Sequence, residues 1–163
     1  HVLISIFMIK LLVIIFGFFM AGCNANETFI ESLNPEFETM SFDVVQKDLV
    51  IQKDLPDNLN FLISRWFDEK VKINGFNGDM KFTISDYKEK TSFISNGKRI
   101  DLTLSFDVLI RKPLLSQQKL IQGNVSAYGT ISGDFSLNEF DTVIKNTQGD
   151  LVLRLSRDLK KKI

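Results

Sequence analysis

From Ile100 to Ile110 every second residue is apolar: Ile100, Leu102, Leu104, Phe106, Val108 and Ile110. Asp101, Thr103, Ser105, Asp107 and Arg111 occupy the alternate positions. A period of two means an extended strand with one covered face and one wetter face. Such a strand cannot be stable alone. It needs hydrogen-bonded neighbours on both edges and a second layer over its apolar side.

The neighbours are legible on either side of it. Met80, Phe82 and Ile84 alternate with polar residues, and Asn96-Gly97 before the long run is a hairpin signal. Beyond it Ile121, Val125, Ala127 and Ile131 share one face, which Gly123, Ala127 and Gly129 keep shallow, so that a helix can approach closely. A β-like stretch from Phe42 to Gln52 comes first. The covering layer is legible as well. Asp54 reads as the N-cap of a helix with Pro56 in its first turn. Leu59, Leu62, Ile63, Trp66 and Phe67 then follow at helical spacing, and Gly75 and Gly78 close the unit. Ser136-Leu137-Asn138-Glu139 has the pattern of a capping box. The helix it opens carries Phe140, Val143, Ile144, Thr147, Leu151, Leu155 and Leu159 along one stripe. Gly149 inside that helix costs about 1 kcal/mol or marks a kink, and Lys160-Lys161-Lys162 complements the dipole at its end. The order β-α-β-β-β-α predicts an α+β fold: a mostly antiparallel four-stranded sheet with two helices on one face.

The N-terminus has a different character. Lys10 precedes an apolar run from Leu11 to Met20, and Met20-Ala21-Gly22-Cys23 follows. A positive charge, about ten apolar residues and then small residues form the layout of a secretory signal. A spanning helix needs roughly 20 apolar residues. Counting back to Val2 nearly reaches that length, but Lys10 interrupts it. Residues 1–22 are therefore expected to be a signal peptide, with translation starting at Met8. Met20-Ala21-Gly22-Cys23 resembles the lipobox of bacterial lipoproteins. That resemblance implies that the Cys23 sulfur receives a diacylglycerol and that the new N-terminus gains an amide-linked acyl chain such as palmitate. At about 0.8 kcal/mol per buried methylene, three chains anchor the protein permanently. Residues 23–40 read as the lipidated tether, with Glu27, Glu31, Glu36 and Glu38 among its polar residues. Residues 41–163 read as a single α+β domain. Asn24 after the cysteine implies, by the same resemblance, the outer membrane rather than the inner one.

Composition narrows the chemistry. Without the leader, 19 basic residues face 20 acidic ones, a net charge of −1. That gives no basic footprint for nucleic acid. The lone histidine, His1, and the lone cysteine, Cys23, both belong to the anchor region. The domain then has neither imidazole nor thiol. Ser-His-Asp and Cys-His nucleophiles are excluded, and so are zinc sites built on those ligands. Asp68 and Glu69 diverge around a helix. Asp101 and Asp107 lie about 20 Å apart along a strand, too far for a shared acid–base task. The glycine clusters lack the Lys-Ser/Thr of a phosphate loop. The expectation is a protein that is not an enzyme, with no catalytic residues, no metal and no cofactor.

What remains is binding. Ser95-Asn96-Gly97-Lys98-Arg99 joins a turn to two consecutive cations, so Lys98 and Arg99 are the candidate ligand or partner contacts. Phe76 and Phe93 fall near loops and are candidates for an apolar binding surface. Trp66 reads as core. The element order, the lipobox-like segment, Asn96-Gly97 and the Ile100–Ile110 run together resemble the LPS-assembly lipoprotein family of Gram-negative outer membranes. This chain lacks the glycine-tryptophan-like segment often found in that family just after the cysteine. The resemblance implies a periplasm-facing, non-catalytic binding and assembly module. Its partner would be an outer-membrane β-barrel protein, its ligand lipopolysaccharide, and Lys98 and Arg99 its nearest basic matches. The competing reading is a small periplasmic lipoprotein that binds an apolar ligand, in a pocket between sheet and helices near Trp66, or an unrelated protein partner.

Overall fold

The computed structural model describes residues 37–163. Cys23, the leader and nearly all of the expected tether lie outside the described residues. The elements run β1 (Met40–Phe42), β2 (Gln46–Ile51), α1 (Asp57–Lys70), β3 (Val71–Ile73), β4 (Asp79–Ile94), β5 (Gly97–Lys112), a 3-10 turn (Pro113–Leu115), β6 (Gln117–Ser132) and α2 (Leu137–Lys162). The main sheet has the order β2-β4-β5-β6, parallel between β2 and β4 and antiparallel elsewhere. Both helices cover the same face. The fold is α+β, as the strand and helix periods predict.

Two local expectations are corrected. The stretch from Phe42 to Gln52 is not one strand. It breaks at Asp43–Val45 because β1 leaves to pair with β3 in a separate two-stranded sheet. The break is bonded to the loop after β3: Gly75 N–H donates to Val44 O at 3.1 Å, and Val45 N–H to Gly78 O at 3.0 Å. A Cβ on Gly75 would strike the Val44 amide, so the close approach requires glycine. The second correction concerns Asp54, which does not cap α1. The helix starts at Asp57, and Pro56 is its N-cap without any side-chain bond. Pro56 sits at ψ 140°, an extended conformation, and the residue before a proline is itself driven out of the helical region. The helix cannot begin earlier.

Alternation along β5 appears as drawn from sequence. Ile100, Leu102, Leu104, Phe106 and Val108 are buried. Val108 and Phe106 stand opposite Phe82 and Ile84 of β4. Phe82 is the hub: it stacks on Phe106 at 5.5 Å, meets Trp66 edge-on at 5.6 Å and lies 5.9 Å from Phe67. Trp66 is therefore core, although its indole N–H has no acceptor among the described residues.

On the β6 side α2 comes close because side chains are missing. A Cβ on Gly129 would run into Thr147 and Val143, and one on Gly123 into the Phe106 ring. The predicted capping box closes α2: Glu139 N–H donates to Ser136 Oγ at 3.2 Å, and Ser136 N–H to Glu139 Oε2 at 2.7 Å.

Candidate functional site

The strands β4, β5 and β6 are each 16 residues long, about 50 Å at the usual rise. β2 pairs only with Asp79–Ile84. The hairpin of β4 and β5 therefore projects beyond β2, and its tip is where the sequence-predicted cations lie.

The turn is formed by Ser95 and Asn96, with Ile94 opposite Gly97. Gly97 takes φ +141°, and a Cβ there would collide with Ile131 O. Lys98 and Arg99 are thus the second and third residues of β5, and the period of two separates them. Lys98 shares the helix-covered face with Ile100. Its Nζ stands 5.4 Å from the ring of Phe93, its direct cross-strand partner, and 5.3 and 5.4 Å from those of Phe135 and Phe140. Phe135 and Phe140 stack on each other across the start of α2. A cation among three rings is held by their negative faces.

Arg99 points to the opposite, open face. Its guanidinium forks onto Asp101 at 2.7–3.0 Å and lies 4.3 Å over the Tyr128 ring. Hydrogen bonds from Arg99 hold the Asp101 carboxyl below the usual carboxylate range. Arg99 is thus engaged by its own strand neighbours, while Lys98 sits in an apolar surround. Phe93 beside it is 86% exposed, as is Leu137 at the start of α2, whereas Ile94 turns to the opposite face with Arg99.

Phe76 is 99% exposed but lies in the loop before β4, at the other end of the sheet from Phe93. The two do not share a surface. The aromatic residues that do join Phe93 are Phe135 and Phe140. Their spacing from Lys98 in the chain gives no signal, and only the return of β6 to the tip brings them together.

The opposite end carries exposed Phe76, Leu114 and Leu115. An open cleft of about 710 Å³ is bounded by β1, the 3-10 turn, the start of β6 and Ile163. Its cations are engaged: Lys112 with Asp43, and Lys119 Nζ with Ile163 O at 3.2 Å. Lys160 pairs with Glu38 and Lys162 with Asp158. Among the described residues no group of His, Cys, Asp or Glu could hold a metal ion. Asp101 and Asp107 are separately bound, Asp107 accepting from Gln122 Nε2 at 2.7 Å. Between the helices, Gln148 is buried and accepts from Asn58 Nδ2 at 2.7 Å. Burial, then Glu89, pushes the neighbouring Tyr87 hydroxyl well above its ordinary range.

No protein-family model matches the chain, and no curated protein matches it. Among solved structures, it is similar to a minor lipoprotein from Acinetobacter baumannii. The TM-score is 0.48 and the identity 13%, over 74% of this chain and 92% of that one. It is also similar to the rare lipoprotein B from Shewanella oneidensis, with a TM-score of 0.49 and 12% identity, over 72% of this chain and 95% of that one. These values describe a partial overlap of chain path.

Proposed function

We propose that this chain is a lipid-anchored lipoprotein of the Gram-negative outer membrane, facing the periplasm. It acts as a non-catalytic binding and assembly module in lipopolysaccharide transport or outer-membrane biogenesis. The observation that carries the reading is the hairpin tip. There an ammonium, Lys98, stands among Phe93, Phe135 and Phe140, and the Phe93 ring is largely exposed. A cation set in apolar surface suits an amphiphile that pairs an anionic headgroup with acyl chains. The lipobox-like Met20-Ala21-Gly22-Cys23 supplies the membrane address, and a lipid on Cys23 raises the local concentration of the domain at the membrane. The partner in this reading is an outer-membrane β-barrel protein.

Two measurements test it. Intact mass of the protein extracted from envelopes is expected to show an acylated Cys23 as the N-terminal residue; a bare sulfur or a retained leader overturns the address. Purified full-length protein is expected to bind lipopolysaccharide micelles, and K98E and F93A to weaken that binding about tenfold each, or 1.4 kcal/mol. Arg99→Gln should have the smaller effect, because Arg99 already serves Asp101. Binding that is unchanged in K98E and F93A removes the tip from the site.

A further inference from the structure

At the end of the sheet away from the hairpin tip, the connections carry side chains that turns rarely carry. Turns favour Gly, Asn, Asp, Ser and Pro. The loop after β3 reads Asn74-Gly75-Phe76-Asn77-Gly78, turn formers around one phenylalanine whose ring stands free in solvent. The turn between β5 and β6 reads Pro113-Leu114-Leu115-Ser116. Pro113 opens it, and Ser116 closes it at φ 51° with its N–H on Pro113 O. The two leucines at its apex are 83% and 58% exposed. Val45, at the entry to β2, is exposed as well.

These residues share one place. β4 begins where β5 ends, Asp79 opposite Arg111. Gly78 lies so close that a Cβ there would strike Arg111 O, and its carbonyl accepts from Val45 N–H. Single exposed apolar residues are ordinary, but a group of them on adjoining connections marks a contact surface. Arg111 and Lys112, which precede the leucine turn, are already paired, with Asp79 and Asp43. What this end offers is apolar contact, not unpaired charge.

The path of the chain says what it contacts. The described residues enter the domain at this end. Glu38 pairs with Lys160 near the C-terminus of α2, and Ser41, Phe42 and Asp43 line the same cleft as Ser116 and Gln117. From Cys23 to Glu38 the chain spans at most about 50 Å when fully extended. β5 alone is about as long. A pose with the tip on the membrane would draw that segment nearly taut. The reverse pose leaves it slack, with far more conformations open to it.

We infer that Phe76, Leu114 and Leu115, with Val45 beside them, rest on the phospholipid surface that holds the protein's own N-terminus. Their side chains enter the boundary between headgroups and acyl chains. A few side chains suffice, because the tether keeps the domain at a high effective concentration above the surface. Lys98 and Phe93 are then held away from that surface by most of the length of the sheet. The inference rests on the membrane attachment proposed above, but not on what the tip binds.

The test uses the full chain from envelopes, placed in phosphatidylcholine bicelles and followed residue by residue by NMR. A nitroxide on a lipid acyl chain is expected to broaden the amides of Phe76, Leu114 and Leu115 and to spare those of Phe93 and Gly97. A gadolinium chelate in the water should do the reverse. F76D/L114D changes two exposed side chains and should abolish the lipid broadening at this end while the sheet signals stay in place. Should that variant fail to fold, Phe76→Ser alone should give a partial loss. Raising the salt about tenfold should change nothing, since the contact is apolar and its lipid uncharged.

Broadening at the tip instead, broadening lost in high salt, or broadening unchanged in F76D/L114D overturns the proposal. Shielding from the chelate without broadening by the lipid also overturns it, in favour of a second copy as the cover. Intact mass of the same sample keeps the two readings apart. A bare Cys23 with the broadening intact removes the lipid but not the docking, and an acylated Cys23 without broadening removes the docking alone.

Discussion

The two helices lie on the same face of one sheet and are held by opposite means. α1 packs with large side chains, Trp66 and Phe67 closing on Phe82. α2 packs over absent ones, lying where Gly123, Ala127 and Gly129 lower the surface of β6. Their ends differ in the same sense. α2 is capped from within its own sequence by Ser136 and Glu139. α1 has no side-chain N-cap, and its C-terminus is closed by a residue from another strand. Lys47 Nζ donates to Phe67 O at 2.8 Å, Asp68 O at 3.3 Å and Val71 O at 2.7 Å. One helix is defined locally, the other by tertiary contacts, and the tertiary one should be the more costly to disturb.

Phe82→Ala should therefore be the most damaging single change, because it empties the centre of the α1 half. A buried aromatic truncated to alanine costs about 3–5 kcal/mol, read as a fall in the urea midpoint. A loss under about 1.5 kcal/mol would mean that α1 is not held through this ring cluster. Lys47→Met comes next. It keeps the aliphatic stem but leaves the last carbonyls of α1 without their ammonium, at about 1.5–3 kcal/mol for charged hydrogen bonds. Amide exchange should report fraying of the last turn of α1 and leave α2 unaffected; fraying in both helices would erase the distinction.

That difference also governs how much of the molecule was legible in its sequence. Local devices were: the β5 alternation, the capping box, and the glycines that let α2 descend. Non-local ones were not. Lys47 lies on a strand whose sequence says nothing about the helix end above it. β4 is a partial case. Its register shifts between Ile84 and Asp86, leaving Ser85 as an extra residue. The bulge turns Tyr87, Glu89, Thr91 and Phe93 to the covered face, a change of phase that the Met80-Phe82-Ile84 alternation does not announce. At the tip, Lys98 and Arg99 read as one basic pair only while the segment is taken for a loop. Once the strand starts at Gly97, alternation sends them to opposite faces. The Phe135–Phe140 stack beside Lys98 arises from the path of β6 and could not be foreseen from spacing.

The close packing of α2 can be probed more finely. Gly129→Ala places a methyl against Thr147 and Val143. Overpacking costs about 1–3 kcal/mol, partly offset by the lower entropy of the unfolded chain, about 0.4–1 kcal/mol. Thr147→Ala removes the obstructing hydroxyl, which is bonded to Val143 O at 2.6 Å. The double variant should lose less than the two single ones together, with a coupling of about 1 kcal/mol. Additive losses would place the collision elsewhere, and the account of α2 as a helix lying over missing side chains would fail.

The smallest expected effect is at the start of α2, where the cap is local and exposed. Ser136→Ala should cost about 1 kcal/mol at neutral pH. Hydrogen bonds to Glu139, first from the Ser136 main-chain N–H and then from its hydroxyl, hold the Glu139 carboxyl below the usual carboxylate range. A carboxyl whose folded-state value is depressed adds stability above its unfolded value, and loses it as the pH falls through the folded one. The cost of Ser136→Ala should thus shrink in acid, where the Glu139 contribution is already gone. Carbon-detected titration of Glu139 should show its midpoint rising in the variant, but not fully to the unfolded value, since the main-chain donor remains. A full return would mean that the hydroxyl, rather than the peptide N–H, is the principal donor, and that even this locally defined end depends on a single side chain.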